Sequence, residues 1–167
     1  MTGRRVDLRG CSPVAATAVK AAGAVVQGHS LADVCELGTG VPTIPLVRAG
    51  LHLLDATARA VDDRGRGPGE RGLQIVVDPV TDPALLALTR RPPGELESQV
   101  VAAMQSLGSA DPRGDAVAAL ASEGEAAVLV IATLTARLVA AGGLDAFVAG
   151  VDGLRAQDAA RSGDWSR

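Results

Sequence analysis

Only two of the 167 residues, Phe147 and Trp165, are aromatic, although 47% of the chain is hydrophobic. A core without large rings must be assembled from Ala, Val and Leu. Such side chains fill little space each, so the elements that carry them have to approach closely to reach native packing density. Helices faced with small residues meet that demand. A chain of this length suits a single domain with one self-sufficient core, and its apolar content offsets the entropy of ordering.

The formal charge is −3 and the isoelectric point near 5.3. This gives no global attraction to phosphate backbones or anionic membranes, so nucleic acid is disfavoured as a partner by charge. Lys20 is the single lysine against 15 arginines, leaving one candidate for Schiff-base chemistry or a phosphate loop. Cys11 and Cys35 do not form the dense cysteine framework of a secreted mini-protein, and a reducing, cytoplasmic setting is expected. The basic start MTGRRVDLRG runs into an alanine-rich stretch containing Lys20, too weakly apolar for a signal-peptide core. The most apolar segment, residues 126–143 (AAVLVIATLTARLVAAGG), nears spanning length but contains Arg137 and two threonines. A helix at the centre of a bundle, with no membrane partner, is the expectation.

Periodicity supplies the elements. Ser12 caps and Pro13 opens a helix over 13–27, with Val14, Ala18, Ala22 and Val25 inward. Ser30 caps a short second helix, with Asp33 completing an acidic capping box and Gly38 ending it in the left-handed conformation. Thr43 caps a third helix that runs to about Asp63, with Val47, Leu51, Leu54, Ala58 and Val61 inward. Beside them Arg48, His52, Asp55, Arg59 and Asp62 form a solvated flank, Asp55 and Arg59 being spaced as an ion pair. Residues 64–72 (RGRGPGERG) read as a flexible connector and Leu73–Val77 as a short strand. Helices then follow at 83–91, 95–107, from Asp111, at 126–143 framed by Ser122 and Glu125, and at 144–157, where Phe147, Val151 and Leu154 turn inward. The tail 158–167 is expected to fray.

Chemistry-bearing residues are few. Cys11, His29, Cys35 and His52 hold the inventory of a Cys2His2 zinc site, but without the close ligand pairs that let one turn deliver two ligands. Buried cysteine and surface histidine are the readings to expect. Cys35 falls near a helix C-terminus, where the dipole opposes a thiolate. No GxxxxGK[ST] loop occurs. Asp78 and Asp82, after the strand, could hold a hard cation or act as acid and base, although Asp before Pro is ordinary turn chemistry. No cofactor, metal or catalytic set is expected.

The order of a first helix, GHSLADVCEL, a turn glycine, Val41 and a further helix resembles the helix-turn-helix core of bacterial transcription regulators over residues 14–54. The resemblance implies a DNA-reading helix whose start, Pro42 to Arg48, faces the groove, with Thr43 and Arg48 as the contacts.

The sequence thus predicts a mainly α chain, one compact domain of six or seven helices with a short strand near 73–77. The function expected is that of a non-catalytic regulatory or adaptor protein, acting through protein contacts and self-association as a homo-oligomer. A helix-turn-helix DNA-binding regulator and a small enzyme, centred on Asp78 and Asp82 or on Cys35 with a histidine, are the alternatives.

Overall fold

A computed structural model describes residues 6, 8–38, 40–64, 93–106 and 115–165. They form seven α-helices: α1 (Pro13–Val26), α2 (Leu31–Leu37), α3 (Thr43–Arg64), α4 (Pro93–Ser106), α5 (Asp115–Ala121), α6 (Glu125–Gly142) and α7 (Leu144–Trp165). The fold is mainly α, with no strand among the described residues. The connector at 65–72, the strand at 73–77, the helix at 83–91, and Asp78 and Asp82 lie outside them.

The first helix starts as its sequence dictates. Ser12 Oγ accepts from Ala15 N at 3.2 Å, and Pro13 takes a position whose missing amide would have had no partner. Ser30 caps α2 in the same way, accepting from Asp33 N at 3.2 Å. Several helix boundaries depart from expectation. Gly38 closes α2 in a right-handed conformation (φ −84°), and the left-handed glycine of the turn is Gly40 (φ +83°). Thr43 is the first residue inside α3 rather than its cap, since the carbonyl of Pro42 already accepts from Leu46 N. Ser122 does not cap α6. Its hydroxyl donates to Ala119 O at 2.6 Å, and Gly124 (φ +63°) precedes the helix with no side-chain cap. At the far end α7 continues in helix to Trp165, past the expected limit at Gln157.

The long helix α3 organises the fold and packs against α1, α4, α5, α6 and α7. Val47, Leu51, Leu54, Ala58 and Val61 are all buried, as predicted, and join one apolar cluster with α4, α5 and α6. Leu46, Ala49 and Leu53 are buried too, in a second cluster with Ala15, Ala18, Val19 and Ala22 of α1 and Phe147, Val151 and Leu154 of α7. α3 is therefore a wall between two cores. In α1 the buried stripe is centred on Ala15, Ala18, Val19, Ala21 and Ala22, rotated from the predicted one, and Val14 and Val25 are only half-buried.

Close approach is achieved with glycine. A Cβ added at Gly150 of α7 would overlap Thr57 Oγ1 and stand 3.2 Å from Thr57 Cβ; one at Gly153 would stand 2.8 Å from Ala56 Cβ. Across the other cluster a Cβ at Gly50 would be 3.0 Å from Ile131. Among the described residues two threonines, Thr57 and Thr135, are fully buried, and they donate to the carbonyls of Leu53 and Ile131 at 2.7 and 2.8 Å, so neither hydroxyl is lost to an apolar interior.

Candidate functional site

α6 has the length and composition to cross a membrane, with a mean hydropathy of 1.6, yet half of it is buried inside the fold. Ala127, Val130, Ile131, Leu134 and Leu138 serve the cores. The rest of its surface borders two features, one at each end, and these are the candidate sites.

At the start of α6 a pocket of about 50 Å³ lies between α2, the α2–α3 turn and α6. Val34, Leu46 and Leu129 give it an apolar floor, while Cys35, Thr43 and Glu125 supply its polar groups. Burial pushes the Cys35 thiol up; the Glu125 carboxylate beside it adds to the rise by its charge and by accepting the thiol's hydrogen bond. At neutral pH this is a protonated, weakly nucleophilic group. Outside the pocket two apolar side chains flank the turn, Leu37 (38% exposed) and Ile44 (47%), with Pro42 and Pro45 exposed nearby.

At the end of α6 two open hollows adjoin. The larger, about 570 Å³, is lined by Val25 and Val26 of α1, by Ala136, Arg137 and Ala140 of α6, and by Leu144. The other, about 400 Å³, lies over α1 and the chain before it, among Leu8, Val19, Lys20 and Phe147. Val26 and Leu144, each 40% exposed, belong to both, so they form the ridge that divides one apolar surface into two depressions. The surface combines two neighbouring depressions, an apolar ridge common to both, and Lys20 and Arg137 among the lining residues.

The residues singled out in the sequence are dispersed. His29 is exposed between α1 and α2, its Nε2 3.3 Å from Gln27 Oε1. Cys11 and Cys35 are not joined in a disulfide, and among the described residues no three His, Cys, Asp or Glu side chains converge to hold a metal. Thr43 stands exposed at the start of α3 and lines the small pocket; Arg48 is half-buried one turn further on. Val26 and Leu144 are not visible as a pair in the sequence. They are terminal residues of two helices far apart in the chain, and what could have flagged them is an apolar side chain at a helix end with no periodic partner beyond it. Comparison with protein-family models, curated proteins and solved structures yields no match.

Proposed function

We propose that this protein is a non-catalytic regulatory or adaptor protein that works through protein contacts, self-association among them. The observation that carries the reading is the apolar ridge of Val26 and Leu144 between its two hollows. A folded chain gains by covering such a surface, at about 25 cal/mol for each Å² removed from water, and the ridge supplies side chains that a partner can enclose. The test is light scattering coupled to size-exclusion across a range of concentrations, with a pull-down alongside. A mass above the monomer, or a stoichiometric partner, supports the reading; a strict monomer that retains no partner refutes it.

A second reading, a DNA-binding helix pair, is favoured by the arrangement of α2 and α3 as consecutive helices joined across residues 38–42. It predicts binding to duplex DNA that weakens with salt and on Arg48→Ala. It ranks behind the first because the exposed start of α3 presents Thr43, Ile44 and Pro45, hence a single hydroxyl, to a groove read through hydrogen bonds. No binding at low salt would dismiss it.

A further inference from the structure

Lys20, Gly23, Ala24 and Gln27 are spaced three and four apart, so they share one face of α1, and all four line the hollow of about 400 Å³. At roughly 1.5 Å of rise per residue, that face runs about 10 Å from Lys20 to Gln27. Leu144 and Phe147 of α7 line the same hollow. Phe147 is buried in the cluster it shares with α1 and α3, so the lining is continuous with a core. A volume of this order lies within the range of about 300–1,000 Å³ usual for ligand sites, which are mostly apolar with a few placed polar groups.

Gly23 shows that the hollow is not a packing defect of a crowded face. At Gly50, Gly142, Gly150 and Gly153, the other helical glycines among the described residues, an added Cβ would stand 3.0 Å or less from a neighbouring side chain. Each of those glycines lets two helices meet. A Cβ at Gly23 would meet nothing within 4 Å. Glycine weakens a helix interior relative to alanine, and here no packed neighbour accounts for it. What its bareness does is keep the hollow open over the middle of the face.

Charge indicates the occupant. Among the described residues that line this hollow, Lys20 is the one charged group. No ion pair or hydrogen bond joins Lys20 to another described residue, whereas Arg137 of the adjoining hollow and Asp145 beside Leu144 both make interactions within the chain. The remaining polar lining group is the Gln27 amide, whose Oε1 lies 3.3 Å from the His29 ring. One ammonium beside an apolar trough matches one negative charge on a hydrocarbon chain. A phosphate group, with more charge and more acceptors, calls for several donors or the bidentate fork of arginine.

We propose that this hollow binds a medium-chain fatty acid, with the carboxylate at Lys20 and the alkyl chain lying over Gly23 towards the Val26–Leu144 ridge. All of these residues come from one chain, so the site stands apart from self-association.

The experiment titrates the full chain with decanoate, kept below the concentration at which it forms micelles, by isothermal calorimetry, and maps the bound state by amide chemical shifts. Saturable 1:1 binding is expected, with shifts concentrated in residues 19–27 and 144–147. Gly23→Leu places a side chain in the open trough where the fold has room for it; it should keep or raise the melting temperature and weaken binding at least tenfold. Lys20→Gln should weaken binding by about three- to fivefold, the size of one exposed ion pair, and Lys20→Arg should restore it. Decyltrimethylammonium, with the same chain and the opposite charge, should bind more weakly than decanoate. No saturable binding at millimolar decanoate, a Gly23→Leu variant that binds like wild type, or a preference for the cationic probe overturns the proposal. So does binding to phosphatidylglycerol vesicles without binding of monomeric decanoate, which would make the surface a membrane contact. Should Gly23→Leu fail to fold, Leu144→Asp tests the same trough, since the first turn of α7 tolerates an acidic side chain that would repel the ligand.

Discussion

Gly150 offers a sharp test of how α3 and α7 are packed, because two opposing effects of one methyl group have known sizes. In a helix interior Gly→Ala is intrinsically favourable by about 0.8–1.0 kcal/mol. Here the new Cβ would overlap Thr57 Oγ1, with Thr57 Cβ at 3.2 Å and the Thr57 backbone Cα at 3.3 Å. The obstacle is a fully buried β-branched side chain and the backbone that bears it, and Thr57 Oγ1 is tied to Leu53 O at 2.7 Å. Rotating the hydroxyl away would sacrifice that bond, worth about 1 kcal/mol; separating the helices would loosen the cluster around Phe147, Val151 and Leu154, and overpacking of this kind costs about 1–3 kcal/mol. Net destabilisation of roughly 1–3 kcal/mol is expected for Gly150→Ala, read from urea unfolding followed by circular dichroism. Gly23→Ala is the control. Gly23 is also helical, but a Cβ there meets nothing within 4 Å, so the intrinsic term acts alone and stability rises by about 0.5–1 kcal/mol. Adding Thr57→Ala to Gly150→Ala removes the overlapping atom and recovers part of the loss. If Gly150→Ala is as stable as wild type, or Gly23→Ala loses as much, then close approach at Gly150 is not what joins these helices.

Other positions extend the test. Gly143, between α6 and α7, has φ +81° and ψ 174°, a region essentially reserved for glycine, so Gly143→Ala should cost about 1–3 kcal/mol in the same assay. Ser12→Ala removes the acceptor for Ala15 N and should cost about 0.5–2 kcal/mol, with Ser12→Gly milder. The raised Cys35 pKa means that the folded state holds its proton more tightly than the unfolded chain, whose thiol titrates near about 8.5. That contribution is complete below the unfolded value and fades as pH climbs towards the folded one, so Cys35→Ala should flatten the alkaline loss of stability. Glu125→Gln removes the neighbouring charge and should speed alkylation of Cys35 at mildly alkaline pH; an unchanged rate would refute the pairing.

What the sequence made legible follows from what a local pattern can encode. The inward set of α3 and the Phe147, Val151 and Leu154 stripe of α7 emerge from helical spacing, because an amphipathic helix writes one buried face into its sequence. The second buried face of α3 does not, since Leu46, Ala49, Leu53 and Thr57 lie beside the first face and blur the period when both sides of a helix are covered. The Ser12 and Ser30 caps were readable because a serine just before an apolar run has a defined backbone partner. Gly38 and Ser122 misled for the same reason: each has a neighbour, Gly40 or Gly124, that fills the special conformation instead. Cys35 and Glu125 meet only through the packing of α2 on α6, a distance in space that no spacing records.

The outer side of α6 shows why composition alone left the apolar hollow hidden. An all-round apolar helix implies burial on every side, yet packing against α1, α2, α3, α4 and α7 buries only half of it. Ala136 and Ala140 face a hollow because α1 ends at Val26 and α7 begins at Leu144, so neither helix continues across them. A gap bounded by two helix ends is a property of where helices stop, and stopping points are set by Gly143 and by the turn after Val26, not by the hydrophobic pattern. The same logic holds at the opposite corner, where the end of α2 and the start of α3 leave Leu37 and Ile44 outward. In this chain the helix faces hold the fold, while the helix ends carry the large apolar side chains that stay exposed among the described residues.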